Sequence, residues 1–189
     1  DGAAGKLIYR GYLAGELAEK VSFEEVAYLL LFEKLPDKNE LQAFKTRLTA
    51  ERNIPSAVVA TLQNSPPDAL PMDVLQAAVS LLAQHDPDIR QSSRNAAQRM
   101  AIRLLAKLPT VVAYWERIRS RKEIVEQDSN LDHAANFLYM ITGNVPDAAL
   151  EHYFDVCLVL HAEHSFNAST FAARQVASTR AHMYAAVAA

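Results

Sequence analysis

The fold class is decided by residues 71–83, which read PMDVLQAAVSLLA. Apolar side chains recur there with a period near 3.6 residues, at Met72, Val74, Leu75, Ala78, Val79, Leu81 and Leu82. That is the spacing of one face of an α-helix. Pro71 suits the first turn of such a helix, because its missing N–H needs no partner there. The stretch therefore predicts an amphipathic helix that begins at a proline.

Four more prolines stand before stretches with the same period. They are Pro36, Pro55, Pro109 and Pro146. Because a proline biases the preceding residue away from the α region, each one predicts that one helix ends and another begins. The helix predicted over 94–107 should therefore stop before Pro109. The chain is expected to be a multi-helical, all-α domain with one short strand-like segment at 6–10, before Gly11.

Two of the predicted helices are apolar nearly all round, which is typical of helices buried on every side. Residues 22–32 begin with a capping-box pattern, Ser22 followed by Glu25, and continue as an apolar run. The second such helix is predicted over 148–162. It contains Cys157, the only cysteine, which is expected to pack as a small hydrophobic residue. Two such helices indicate a large domain or one layer of an oligomer.

Composition and charge exclude several classes of function. The 189 residues include 19 basic and 22 acidic side chains, a formal net charge of −3, so no overall positive field draws the chain to nucleic acid or to an anionic membrane. The glycines form no dinucleotide-binding or P-loop pattern, and one cysteine can build neither a disulfide nor a cysteine-based zinc site. No apolar stretch reaches the roughly 18–20 residues of a membrane span. We expect a soluble, cytoplasmic protein without cofactor, nucleic-acid partner or membrane partner.

The densest group of polar side chains lies at 161–170, which read HAEHSFNAST. Asn167 is a good N-cap for a helix predicted over 168–189. His164 would then stand beside the first N–H groups of that helix, where the positive end of the dipole favours an anion such as a carboxylate. A histidine there can donate a hydrogen bond to a substrate oxygen. The alternative is that both side chains only satisfy backbone groups of a turn.

Other polar groups carry weaker hypotheses. A metal ion would need His161 and His164 with Glu163, and His152 is a further candidate ligand, but the pattern lacks a third paired ligand, and we expect no metal site. His133 follows a potential N-cap, Asp132, and is expected to be structural. A row of basic residues recurs at nearly helical spacing. This pattern favours an ordinary solvent-exposed helix face over a phosphate-binding stripe. The row consists of Arg90, Arg94, Arg99, Arg103 and Lys107.

Four blocks of this sequence, in order, resemble the citrate synthase family. They are LIYRGY at 7–12 with SFEEVAYLL at 22–30, PMDVL at 71–75, HAANFLYM at 133–140, and HAEHSFNASTFAAR at 161–174. The last block is the most specific, because it is similar to the family's oxaloacetate-binding segment. Two positions depart from the usual pattern: Leu70 stands where the family often has histidine, and Arg180-Ala181-His182 precedes Met183-Tyr184.

The resemblance implies a helical large domain, a smaller domain that closes over the substrates, and a homodimer. It also implies a Claisen-type condensation of acetyl-CoA, which is a substrate and not a cofactor, with oxaloacetate and water to give citrate and CoA. The same blocks fit 2-methylcitrate synthase, which uses propionyl-CoA. A further alternative is a non-catalytic helical dimerisation module.

Only part of the family's active site can be placed on this sequence. His164 matches the histidine that binds oxaloacetate and polarises its carbonyl group, and Asn167 matches the asparagine beside it. The enol-stabilising histidine and the aspartate base are expected beyond Ala189, so no catalytic residue lies in this chain. Residues 1–189 are therefore interpreted as part of the large domain of a longer polypeptide, without the small CoA-binding domain and the C-terminal part.

Overall fold

A computed structural model describes residues 5–164 and 166–189, in which a two-strand hairpin precedes ten helices. The strands are β1 (Ile8–Tyr9) and β2 (Tyr12–Leu13). The helices are α1 (Ala14–Lys20), α2 (Phe23–Phe32), α3 (Lys38–Ala50), α4 (Ser56–Asn64), α5 (Pro71–Ala83), α6 (Arg94–Arg119), α7 (His133–Thr142), α8 (Ala148–His161), α9 (Ala168–Ser178) and α10 (Met183–Ala188). The all-α prediction is confirmed, and the segment predicted at 6–10 contains the first strand of the hairpin.

Side chains cap the start of most helices, so local sequence fixes where they begin. The predicted capping box at α2 is confirmed: Ser22 accepts a hydrogen bond from the backbone of Glu25, whose carboxylate accepts one from the backbone of Ser22. A second capping box, Asp37 with Glu40, begins α3. Single side chains cap four later helices, namely Ser93, Asp147, Asn167 and His182.

Proline positions mark four helix starts as predicted. Pro71 is the first residue of α5, which has the bounds expected from its sequence. The other three stand at or just before the first turn of α3, α4 and α8; they are Pro36, Pro55 and Pro146.

The predicted break before Pro109 is wrong, because α6 runs through this proline without ending. A proline inside a helix loses one hydrogen bond and crowds the preceding turn, at a cost of about 3 kcal/mol or more. Here α6 is the central helix and packs against α3, α4, α5, α7 and α10. It buries Met100 and Leu104 before the proline and Tyr114 and Trp115 after it, so tertiary packing outweighs the local preference. Met100, Tyr114 and Trp115 belong to one buried apolar cluster.

The basic residues of α6 do not form a single solvated face, which corrects the expectation from their spacing. Arg103 is buried and donates hydrogen bonds from Nε and Nη2 to the two carboxylate oxygens of Asp86, at 2.6 and 2.7 Å. Its Nη2 also pairs with Asp88, which in turn accepts hydrogen bonds from Arg99. Tyr184 of α10 donates its hydroxyl hydrogen to Asp86. This ion-pair cluster (Asp86, Asp88, Arg99, Arg103 and Tyr184) joins the loop before α6 to α6 and α10.

The prediction that α8 is buried on every side is wrong. Only Val159 is buried in this helix, while Leu150 and Tyr153 are exposed. Cys157 is exposed as well, so the prediction that it packs in the interior is also wrong. Within the described residues, no helix combines the length and apolar character needed to cross a membrane.

The segment 168–189 forms two helices, where one was expected. The chain leaves α9 after Ser178, and Arg180 adopts a left-handed conformation with φ of 64°. His182 then begins α10, because its Nδ1 accepts a hydrogen bond from the backbone of Ala185. At this departure from the family pattern, the imidazole therefore acts as a helix cap.

Candidate functional site

The two predicted binding residues lie in the linker between α8 and α9, residues 162–167. His164 is exposed, so its ring is open to solvent and is not packed among apolar side chains. Asn167 is half-buried at the end of the linker, directly before Ala168. Ser165, which belongs to the same sequence block, lies outside the described residues.

Asn167 acts as the N-cap of α9, as predicted. Its Oδ1 accepts hydrogen bonds from the backbone N–H of Thr170 at 2.7 Å and from the hydroxyl of Ser169 at 2.8 Å. An asparagine side chain also carries a donor nitrogen, which the capping bonds do not use. Asn167 can therefore hold the first turn of α9 and still donate a hydrogen bond to a bound molecule.

Replacing Asn167 with alanine should lower the free energy of unfolding by about 0.5–2 kcal/mol, because the N–H of Thr170 loses its acceptor. Chemical denaturation measures the loss. Asn167→Asp is the matched control, since it keeps a capping oxygen and should retain most of the stability. Full stability in Asn167→Ala would show that the cap contributes nothing.

Positive charge accompanies the start of α9. The guanidinium carbon of Arg174 lies 5.2 Å from the ring centroid of Phe166, a cation–π arrangement. Phe166 is 81% exposed, so this pair stands on the surface two residues after His164. The N-terminal end of α9 adds its own positive partial charge. The linker thus combines a hydrogen-bonding ring with two sources of positive potential, the combination that a small anion requires.

A buried tyrosine from the other end of the chain contacts the last turn of α8, which leads into this linker. The hydroxyl of Tyr9 donates its hydrogen to the carbonyl oxygens of Val159 at 3.0 Å and Leu160 at 3.1 Å. Burial raises the pKa of Tyr9 above its ordinary value, which keeps the hydroxyl protonated as a donor. Sequence analysis missed this contact, because nothing local to Tyr9 indicates a partner about 150 residues away.

Asp155 fixes the middle of α8 to the start of α2. Both of its carboxylate oxygens accept hydrogen bonds from the backbone N–H of Phe23, at 3.1 and 3.2 Å. Burial raises the pKa of Asp155 above its ordinary value, and the hydrogen bond from Phe23 acts in the opposite direction. Two contacts therefore hold α8, the helix that leads into the linker. Asp155 attaches its middle to α2, and Tyr9 attaches its last turn to the hairpin.

His133 is buried at the start of α7, in agreement with the structural role expected of it. Its backbone N–H donates to Glu24 at 3.0 Å. Asp132 stands at the N-cap position, but its carboxylate makes no capping hydrogen bond and pairs with Lys45 instead. Burial, together with the charge of Arg52, lowers the pKa of His133 to about 4, so the buried ring is neutral at pH 7.

The histidines near the linker do not assemble a metal site in the part of the chain that the structure describes. No three His, Cys, Asp or Glu side chains among residues 5–164 and 166–189 converge on a position where they could hold an ion. His161 Nδ1 lies 2.7 Å from the carbonyl oxygen of Cys157, one turn earlier in α8. Because a carbonyl can only accept, this ring nitrogen carries the proton.

Sequence comparison matches this chain to one family model and to relatives with two names. A family model described as "Citrate synthase, C-terminal domain" matches residues 1–189. A citrate synthase of Acidithiobacillus ferridurans is 41% identical over 189 residues, which are 97% of this chain and 49% of the relative. A 2-methylcitrate synthase of Mycobacterium tuberculosis is 42% identical over 181 residues, 96% of this chain and 46% of the relative. Relatives with the two names are thus equally similar.

Structural comparison agrees with the sequence. The crystal structure of citrate synthase from Pyrobaculum aerophilum superposes with a TM-score of 0.93 at 40% identity, over 98% of this chain and 48% of the other. The chain therefore spans about half the length of the relatives that it matches.

Proposed function

The chain belongs to the citrate synthase family, and from this premise we propose that it forms part of the oxaloacetate site of a citrate synthase. The reaction would condense acetyl-CoA with oxaloacetate and water to give citrate and CoA. The observation that supports this proposal is the exposed ring of His164 in the linker that enters α9. Family membership supplies the reaction, and the linker supplies groups that suit its dianionic substrate.

In the proposed mechanism, His164 donates a hydrogen bond to the ketone oxygen of oxaloacetate. Condensation converts that ketone into an alkoxide, so a donor already aimed at the oxygen stabilises the charge as it develops. The N-terminal end of α9 and the nearby Arg174 favour the substrate carboxylates through positive potential. Asn167 holds the first turn of α9 and contributes its amide nitrogen as a further donor.

We propose that the remaining chemistry comes from outside these 189 residues. The chain spans about half of its relatives, and neither a base for the acetyl methyl group nor an enol-stabilising histidine can be assigned within the family blocks quoted above. The isolated chain should therefore release no CoA from acetyl-CoA and oxaloacetate. If the complete polypeptide also released none, the rival proposal of a non-catalytic helical module would be preferred.

A homodimer is the proposed assembly. Support comes from the apolar side chains that α8 and α9 leave exposed, which include Leu150, Tyr153 and Phe171. Large apolar side chains left exposed on neighbouring segments of the chain favour contact with another surface. The cytoplasmic location and the absence of cofactor, metal, nucleic-acid partner and membrane partner stay predictions from composition.

2-Methylcitrate synthase is the second candidate, because relatives of that name are as similar as the citrate synthases. The two activities differ by one methylene group in the acyl-CoA, a difference that a pocket discriminates by about 10- to 200-fold. We expect the complete enzyme to prefer acetyl-CoA over propionyl-CoA by at least about tenfold in kcat/KM. Competition between the two thioesters measures this ratio. A preference for propionyl-CoA would reverse the assignment and leave the role of His164 unchanged.

A further inference from the structure

The hairpin at the start of the chain is built to direct one tyrosine inward. Arg10 and Gly11 form its two-residue turn with φ angles of 48° and 96°, and positive φ at both positions is the signature of the tightest hairpins. The turn sets the register that pairs Tyr9 with Tyr12. Tyr9 is fully buried, whereas Tyr12 is 43% exposed. A shift of register by one residue would turn Tyr9 to the other face of the hairpin.

We propose that Tyr9 is a positioning residue for His164, because its hydroxyl joins the hairpin to the last turn of α8, from which the linker to this histidine departs. The inference rests on the proposed function in taking His164 as the group that binds oxaloacetate. The contact itself, from Tyr9 to Val159 and Leu160, is independent of that assignment.

The physical need for such a contact follows from how helices end. The last carbonyl groups of a helix have no partner within it, and the chain beyond can leave in many directions. The Tyr9 hydroxyl donates its hydrogen to the carbonyls of Val159 and Leu160. One buried oxygen atom therefore ties the last turn of α8 to the hairpin and fixes the point from which the linker leaves the helix. His164 lies in this linker, four residues after Leu160, so its position depends on that contact.

The buried setting makes the contact rigid. Tyr9 packs in one apolar cluster with Leu17, Phe23 and Val159, which holds its ring between the hairpin, α1, α2 and α8. Phenylalanine would fill the same space and keep these contacts. It would leave two carbonyl oxygens without their hydroxyl partner, and the linker would lose its anchor. Tyr9→Phe thus separates the hydroxyl from the packing of the ring.

The test measures steady-state kinetics of the complete enzyme with four variants. They are Tyr9→Phe, the control Tyr12→Phe, His164→Ala, and the double variant Tyr9→Phe/His164→Ala. We expect Tyr9→Phe to raise the KM for oxaloacetate about three- to tenfold, with the KM for acyl-CoA unchanged. A purely structural role would reduce the fraction of folded enzyme and hence the apparent kcat, and it would leave the KM for oxaloacetate at its original value. Tyr12→Phe should leave both KM values unchanged.

The double variant tests the link between the two residues. If Tyr9 acts through His164, Tyr9→Phe should have no further effect on oxaloacetate binding once His164 is alanine. Equal effects with and without His164 would overturn the proposal, as would an unchanged KM in Tyr9→Phe. If His164→Ala itself left the KM for oxaloacetate unchanged, the proposed function of His164 would fail.

Hydrogen exchange supplies a measurement that does not depend on activity. The backbone N–H of Ala162 donates to the carbonyl oxygen of Val159, one of the two acceptors of Tyr9. In Tyr9→Phe, this N–H should exchange faster than in the original enzyme, and Tyr12→Phe should not alter its rate. Unchanged exchange at Ala162 in Tyr9→Phe would show that the hydroxyl does not hold the start of the linker, and the positioning role would be rejected.

Discussion

Replacing His164 with alanine is expected to lower kcat/KM for oxaloacetate by about a hundredfold or more in the complete enzyme, which is the usual effect of removing one preorganised donor from a developing oxyanion. Both the KM for oxaloacetate and kcat should change, because the ring binds the ketone and stabilises the alkoxide that forms from it. Stability should change little, since the side chain is exposed. Steady-state kinetics with oxaloacetate varied at saturating acyl-CoA measure the effect.

The matched control for this experiment is His85→Ala. His85 is another exposed histidine, in the loop between α5 and α6, and its removal should leave the kinetics unchanged. Glutamine at position 164 should retain part of the activity, since its amide can still donate a hydrogen bond. If His164→Ala matched the original enzyme in both KM and kcat, the assignment of the linker as an oxaloacetate site would be wrong.

Replacing Asp86 with alanine is expected to lower the free energy of unfolding by about 3–5 kcal/mol, the cost of removing one partner from a buried ion pair. The Asp86 side chain is 1% exposed and that of Arg103 is 9% exposed, so water cannot replace the missing carboxylate. Tyr184 loses its hydrogen-bond acceptor in the same substitution. Urea denaturation followed by circular dichroism measures the loss.

An exposed ion pair provides the control for the buried one. On the surface, Nζ of Lys34 lies 2.6 Å from Oε1 of Glu40, and the two side chains are 60% and 30% exposed. Removing that pair by Lys34→Ala should lower the free energy of unfolding far less than Asp86→Ala does, because exposed charges are well solvated when separated. A similar small loss in both variants would contradict the structural role of the ion-pair cluster.

The same ion-pair cluster should make the free energy of unfolding depend on pH in acid. Burial alone would raise the pKa of Asp86, but hydrogen bonds from Arg103 and Tyr184 outweigh it, so the pKa lies below its ordinary value. Hydrogen bonds from Arg99 and Arg103 place the pKa of Asp88 well below its usual range. Carboxylates with lowered pKa values stabilise the fold above the unfolded pKa, near 4, and this stability is lost as the pH falls through the folded values. Asp86→Ala should therefore weaken the dependence of stability on pH below about 4.

Local signals in the sequence were sufficient for the elements that begin and end through neighbouring residues. The bounds of α5, the capping box at Ser22 and the cap at Asn167 all depend on side chains within a few positions of each other. These hydrogen bonds form in the same way whatever surrounds the helix, so the pattern alone predicts them. The location of the candidate linker followed from the same kind of signal.

Contacts between distant parts of the chain explain what the sequence could not predict. The course of α6 through Pro109 depends on five packed neighbours, and the inward turn of Arg103 depends on a loop that places Asp86 against it. Tyr9 meets its partners across about 150 residues. In none of these cases do the neighbouring residues in the sequence indicate which distant partner will be contacted.

The exposed face of α8 shows a second reason why the sequence alone does not predict burial. Its composition predicts burial, yet in this chain Tyr153 is 68% exposed and Leu150 is 48% exposed. An apolar helix indicates that a covering surface exists, but the pattern does not say whether that surface belongs to the same chain. The sequence correctly predicts that α8 is apolar, but it wrongly predicts that other parts of this chain bury it on every side.

The most direct measurement is a crystal structure of the complete enzyme with oxaloacetate bound. We expect a ring nitrogen of His164 to lie about 2.7–3.2 Å from the ketone oxygen of the substrate, with the start of α9 facing a carboxylate. A structure in which the dicarboxylate binds elsewhere, while the imidazole of His164 contacts only solvent, would refute the proposed oxaloacetate site.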